Sequence, residues 1–337
     1  PPYGSCLLGS VNLVHFVEEP FTDAAYFNTA KFKKVVRIFT RMLDNVVELN
    51  GLPLSKQEEE IYRKRRHGMG YMGLGSVLAM LGITYGSKAS IEFTEEVTKT
   101  LTLEGYMEGI ELAKEKGPAP IMNEMFPADL LTGDIDPGDY MEDGVRVVPG
   151  KYLWASSLFM QRVWAELDPE YLEAALDYGC RFTHHSSIAP TGTIALSINN
   201  NVSNGIEPSF SHQYSRNVIM EGKKTKKKAN VYSYELLLYR ELIDPDANAF
   251  DGSLPSYFVD TESISPREHV DIQAAAQKWV DSSISKTINI PSDYPFDKFQ
   301  DIYLYAYEKG LKGCTTFRFN PAAFQGVLVQ EADLKRT

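Results

Sequence analysis

Thr183-His184-His185-Ser186-Ser187-Ile188-Ala189-Pro190-Thr191-Gly192-Thr193-Ile194-Ala195-Leu196-Ser197 is the stretch on which the fold of this 337-residue chain turns. Residues 183–189 read as a strand. Pro190 and Gly192 shape a tight turn, and a helix begins just after it. The first N–H groups of a helix have no partner within the helix, and its dipole is positive at that end, so such a turn attracts anions. The hydroxyls of Thr191 and Thr193 add donors. Two readings stay open on these residues alone: a phosphate cradle, or an ordinary strand–helix turn. A P-loop is excluded, because no Gly-Lys-Ser/Thr follows.

Outward from this turn, short β-favouring runs alternate with longer runs of helical period. Residues 5–13 read as a buried strand. A helix over 29–49 follows, with Val35, Ile38, Phe39, Met42, Leu43, Val46 and Val47 at helical spacing, stopped by Gly51 and Pro53. Further helices are expected at 95–116, 156–166 and 169–178. Ser265-Pro266-Arg267-Glu268 reads as N-cap, first-turn proline and capping-box glutamate of a helix ending near Trp279. A strand at 281–290, a helix at 296–309 closed by Gly310 and a strand at 313–319 complete the pattern. This alternation predicts an α/β protein with about five parallel strands and helical crossovers.

Three other stretches invite a functional reading. Arg66 to Gly75 holds Gly68, Gly70 and Gly73 in the G-x-G-x-x-G spacing of a dinucleotide loop. No acidic residue stands about 20 positions on at a strand end, and small residues that let a strand pack closely explain the run equally well. The amide-rich loop from Asn199 to Pro208 suits sugar or phosphate hydrogen bonding, or plain turn chemistry. Lys223, Lys224, Lys226, Lys227 and Lys228 read as a solvated loop.

Bulk properties exclude several classes. Hydrophobic residues make up 43% and charged residues 23%, enough for a sizeable core. A net charge of −11 argues against a general nucleic-acid binder. No apolar run is long enough for a membrane span and no signal peptide is visible. Three cysteines, Cys6, Cys180 and Cys314, are too few for a disulfide framework, which with the missing signal predicts a reducing, cytoplasmic location. The six histidines show no metal-ligand spacing, and adjacent His184 and His185 on a strand would face opposite ways. The chain opens Pro1-Pro2-Tyr3-Gly4, as if entered within a longer protein.

Six stretches, in order, resemble the ribonucleotide reductases: Gly4–Leu13, Arg65–Leu74, Ile188–Ile194, Asn204–Pro208, Asp281–Asn289 and Lys312–Thr316. The resemblance implies a ten-stranded α/β barrel of two five-stranded parallel halves, with residues 1–325 as the second half and 326–337 as a short C-terminal tail. It implies that Cys6 is one of the two cysteines that reduce the substrate and become a disulfide. Pro190, Thr191, Gly192, Thr193 and Ile194 match the loop that holds the substrate's phosphates. Ser5, Asn204 and Glu207 match positions near that site.

The family's radical cysteine, in an Asn-x-Cys-x-Glu motif, belongs upstream of Gly4–Leu13. A partner chain carrying the first half-barrel is therefore expected, with a dithiol reductant such as thioredoxin, and no nucleic acid or membrane partner. Where one class of these enzymes carries two radical-relaying tyrosines, this chain has Thr315 and Thr316, followed by Phe317. Threonine cannot relay a radical, so the resemblance points to the adenosylcobalamin-dependent class, making deoxyribonucleotides from ribonucleotides by thiyl-radical chemistry. A non-catalytic nucleotide-binding or interaction module is the alternative.

Overall fold

The computed structural model describes residues 2–133, 135–138, 140–199, 201–219, 226–318 and 328–329. Strand Leu7–Asn12 pairs in parallel with His67–Met72, Leu7 opposite His67 and Asn12 opposite Met72. Strand Thr287–Ile290 pairs in parallel with Thr315–Arg318. Residues 184–188 link the two pairs through single parallel bridges, Met69 to Ser186 and Ile188 to Ile284. The linking bonds run from Met69 N to His185 O, from Ser187 N to Met69 O and from Ile188 N to Ser283 O.

The five full parallel strands expected from the alternation are thus two two-stranded pairs joined by bridges, and no closed barrel forms among the described residues. Side-chain hydrogen bonds explain the broken ladder. The Asp281 carboxylate accepts from His185 N at 2.7 Å and from Ser186 N at 3.1 Å, and Ser186 Oγ accepts from Asp281 N at 3.0 Å. Polar side chains here take amides that a regular strand would pair with carbonyls.

Local rules place most helices. Thr29–Leu49 forms as expected, capped by Asn28, whose side chain accepts from Lys31 N. Pro266–Gln277 has both halves of its capping box. The helix expected at 95–116 starts earlier, as Lys88–Lys116, because Ser87 caps it. The helix expected at 156–166 is two, Gly150–Ser156 and Leu158–Trp164, with Ser157 ending the first and capping the second.

Besides the short pairing of Val17–Glu18 with Tyr26–Phe27, two antiparallel elements escaped the sequence reading. One is the sheet of Met125–Pro127, Tyr140–Glu142 and Val145–Pro149. The other is the hairpin of Gln213–Ile219 and Lys226–Tyr232. Lys226, Lys227 and Lys228 therefore stand in a strand rather than a loop, while Lys223 and Lys224 lie outside the described residues. Of the expected tail, only Leu328–Val329 is described, paired with Ser215 and Arg216.

The main core joins the parallel strands to the helices Thr29–Leu49, Leu74–Met80 and Lys88–Lys116. Leu74, Val77 and Leu78 are fully buried, each contributing roughly 1.5–3 kcal/mol. Strand His67–Met72 is buried along its whole length. Leu7–Asn12 is not: Val11 is buried and Leu8 is 60% exposed, against the expectation of a buried strand. It is an edge strand, with one parallel neighbour among the described residues.

Candidate functional site

Residues 184–188 make isolated bridges in place of the expected strand, while the turn and the helix that follows it form as read. The helix Gly192–Asn199 has its first internal bond from Ala195 N to Thr191 O, so the amides of Gly192, Thr193 and Ile194 precede the helical ladder. Thr191 is the hinge. It is a non-glycine residue at φ +59°, it is buried, and its Oγ1 accepts from Gly205 N at 2.8 Å. That bond draws the loop 201–208 against the helix start.

The result is a cavity of about 850 Å³. Gly192 and Thr193 line it from the helix, Asn204 and Glu207 from the loop, and Thr287, Asn289 and Phe317 from the paired C-terminal strands. Thr287 and Asn289 alternate along one strand, and Asn289 stands opposite Phe317 on the next. Serines 197, 203, 209, 211 and 233 add hydroxyls to the wall. Of the expected site residues, Gly192, Thr193, Asn204 and Glu207 come together here. Pro190, Thr191 and Ile194 flank the wall without lining it, and neither Ser5 nor Cys6 belongs to it.

Lys286, Asn289 and Phe317 were not singled out as site residues from the sequence. The two-residue alternation of Thr287 and Asn289 was the available signal for one of them. Lys286 is 2% exposed, and nothing local marks a buried lysine. Its ammonium donates to Glu207 Oε2 at 2.5 Å, to His269 Nδ1 at 2.7 Å and to Thr287 O at 2.7 Å, which uses all three of its donors. Glu207 Oε1 accepts from Thr287 N at 2.5 Å. Burial lowers the Lys286 pKa, and Glu207 opposes that shift.

Cys6 lies just before the edge strand and is exposed, though its sulfur tucks against neighbours. A Cβ built on Gly68 would stand 2.6 Å from Cys6 Sγ and 2.8 Å from Ser187 Oγ, so the glycine makes room for the thiol. Desolvation by the surrounding chain raises the Cys6 pKa and Asp281 adds to it, while Arg66 and Ser187 act against the rise. The group is a protonated thiol at neutral pH. Cys180 is fully buried, and burial pushes its thiol up to about 12. Cys314 is half-buried and is also raised by burial.

The Gly-rich stretch has a packing role. A Cβ on Gly70 would lie 2.2 Å from Ser187 O, and one on Gly75 would lie 2.7 Å from Pro208 Cα. The N-terminus of the helix Leu74–Met80 is already occupied: Gly73 N donates to Ser203 O, Leu74 N to Gly205 O and Ser76 N to Ser203 Oγ. A dinucleotide pyrophosphate would find those amides taken. The tight packing instead seats the loop 203–208 beside the cavity.

Three fully buried histidines make the fold acid-sensitive. Desolvation holds His67 well below its usual pKa, reinforced by His185, Arg65 and Arg181. It brings His185 to about 4 against a small opposing pull from Asp281. Desolvation and then Lys286 bring His269 to about 2. All three folded-state values are depressed, so their contribution is complete above the unfolded value of 6.5 and is lost as pH falls below it. Each should cost roughly 1 kcal/mol of stability at one pH unit below 6.5. Urea midpoints at pH 7.5 and 5.5 check this; equal midpoints would contradict it.

Among the described residues no group of three or more His, Cys, Asp or Glu side chains could hold a metal ion, and no helix is long and apolar enough to cross a membrane. The family profile described as the ribonucleotide reductase barrel domain matches residues 2–317. A vitamin B12-dependent ribonucleoside-diphosphate reductase of Thermoplasma acidophilum is 28% identical over 99% of this chain and 38% of its own length. One of Mycobacterium tuberculosis is 25% identical over 94% of the chain and 40% of its length. A ribonucleoside-diphosphate reductase subunit alpha of Chlamydia pneumoniae is 28% identical over 98% of the chain and 31% of its length. The chain thus spans 31–40% of the length of these relatives.

Proposed function

The chain belongs to the ribonucleotide reductase family, and from that premise we propose that it is the barrel part of an adenosylcobalamin-dependent reductase, binding ribonucleotide phosphates and supplying one redox thiol. The observation that carries this reading is the shared cavity. The amides at Gly192–Ile194 and the side chains of Thr193, Asn204 and Glu207 converge from segments apart in sequence. Hydroxyls, amides and unladdered N–H groups suit phosphate and sugar.

In this reading Cys6 and a second cysteine elsewhere in the reductase each give up one hydrogen as the ribose C2′–OH bond breaks. Water leaves, a C–H bond replaces C–OH, and the two sulfurs close a disulfide. The two electrons come from the thiols, and a dithiol such as thioredoxin returns them. Cys6 fits because desolvation favours its protonated thiol and the residue is exposed just before a strand. The radical cysteine and second redox cysteine are assigned to a first half-barrel, completing a ten-stranded barrel with the parallel strands seen here. That half, joined or on a partner chain, is expected to be required for any turnover.

Thr315 and Thr316 support the cobalamin class. Thr316 Oγ1 hydrogen-bonds the Tyr303 hydroxyl at 2.8 Å, and neither threonine can carry a radical. The cofactor would supply the initiating radical. Much of its contact is assigned to the first half-barrel.

Thr193→Ala in the complete enzyme should weaken ribonucleotide binding by roughly 1–3 kcal/mol, the worth of one hydrogen bond to a charged group, since Thr193 is the threonine of this turn that lines the cavity. Titration calorimetry reads this directly. Unchanged affinity would remove the phosphate loop from the mechanism.

A further inference from the structure

Glu207 carries the only formal charge among the described residues lining the cavity. A lone carboxylate facing a phosphate site would repel its ligand, so its presence needs a reason. The structure offers two facts. The carboxylate is anchored from behind at both oxygens, by Lys286 Nζ and by Thr287 N, each at 2.5 Å. Lys286 is itself saturated, since His269 Nδ1 and Thr287 O take its other donors. The carboxylate is therefore charge-balanced and fixed in orientation. Each oxygen keeps a lone pair beyond the one its anchor uses, and Glu207 lines a wall otherwise made of neutral hydroxyls, amides and apolar groups.

We propose that Glu207 accepts a hydrogen bond from a ribose hydroxyl of the nucleotide whose phosphates lie at Gly192–Ile194, and that Lys286, braced by His269, is the positioning residue that holds Glu207 for it. This rests on the phosphate-loop reading above and deepens it. Glu207 selects the sugar and the helix start takes the phosphates. The buried ammonium balances the charge of the carboxylate, and a carboxylate accepts hydrogen bonds without donating any, which suits a hydroxyl donor. The ionisable groups around the carboxylate are Lys286, His269, which bonds the ammonium, and Tyr85, whose hydroxyl donates to Ile206 O at 2.8 Å.

Titration of the intact protein with pyrophosphate and with cytidine diphosphate separates the two parts. Lys286→Met with Glu207→Gln replaces the ion pair by a neutral one and guards against simple unfolding. This variant should bind pyrophosphate within about twofold of the original protein and cytidine diphosphate roughly tenfold more weakly, the loss of one charge-assisted hydrogen bond. A purely structural lysine would weaken both ligands alike, and that result overturns the inference. So does a double variant that binds cytidine diphosphate as the original does. If the original protein fails to bind pyrophosphate, the phosphate-loop reading falls and takes this inference with it.

Discussion

Cys6→Ser in the complete reductase should lower dithiol-driven turnover by at least about 10³-fold, because a hydroxyl in place of the thiol cannot close or reopen a disulfide. The structure sharpens the expectation. Among the three cysteines only Cys6 is exposed; Cys180 is fully buried and Cys314 half-buried. Cys180→Ala should keep turnover while lowering stability by about 1–2 kcal/mol through the small void it leaves beside Gly109 and Phe182. Gly68→Ala adds a methyl 2.6 Å from the Cys6 sulfur, so it should cut turnover without touching a reacting atom. Steady-state assays with a dithiol give all three numbers. Turnover of Cys6→Ser equal to that of the original enzyme would refute the assignment.

Gly105→Ala should destabilise the fold by about 3 kcal/mol or more, an overpacking cost at the top of the usual range. Helix propensity alone predicts the opposite sign, since alanine is worth up to about 1 kcal/mol over glycine inside a helix. Gly105 lies within the helix Lys88–Lys116, where a Cβ would stand 1.9 Å from His185 Nε2 and 2.3 Å from His185 Cδ2. His185 cannot yield: it is fully buried, its ring stacks on Phe182 at 5.1 Å, and Tyr106 crowds it at 5.8 Å. Its backbone is tied down as well, by the Asp281 carboxylate. Adding His185→Ser to Gly105→Ala should recover more than half of the loss. Urea denaturation of the four-member cycle reads it, and a Gly105→Ala protein as stable as the original would show that the helix can shift away from the strand.

Legibility differed between elements for reasons that can be named. The capping box at Ser265 and Glu268 and the helix Thr29–Leu49 were readable because their signals span only a few residues. The split of 156–166 at Ser157 was missed because a serine inside an apolar period looks like an exposed helical position. The hairpin at 213–232 was missed because its second strand begins with Lys226-Lys227-Lys228, which composition assigns to a loop. At the site, Thr193, Asn204 and Glu207 could be named from motifs, whereas Lys286 could not, because a lysine reads as solvated until three partners are found around it.

By itself the sequence determined most of the helices, the turn at Pro190–Ile194 and the order of motifs that marks the family, because those rest on backbone preferences and hydrogen bonds within one or two turns of chain. Only the tertiary structure decided which of those residues share a cavity, that Thr191 is a buried hinge rather than part of the wall, and that Gly68, Gly70 and Gly105 are spacers for Cys6, Ser187 and His185. Those outcomes depend on distances between segments tens to hundreds of residues apart. Such distances come from close packing and from the need to partner every buried charge, and no local window of sequence contains them.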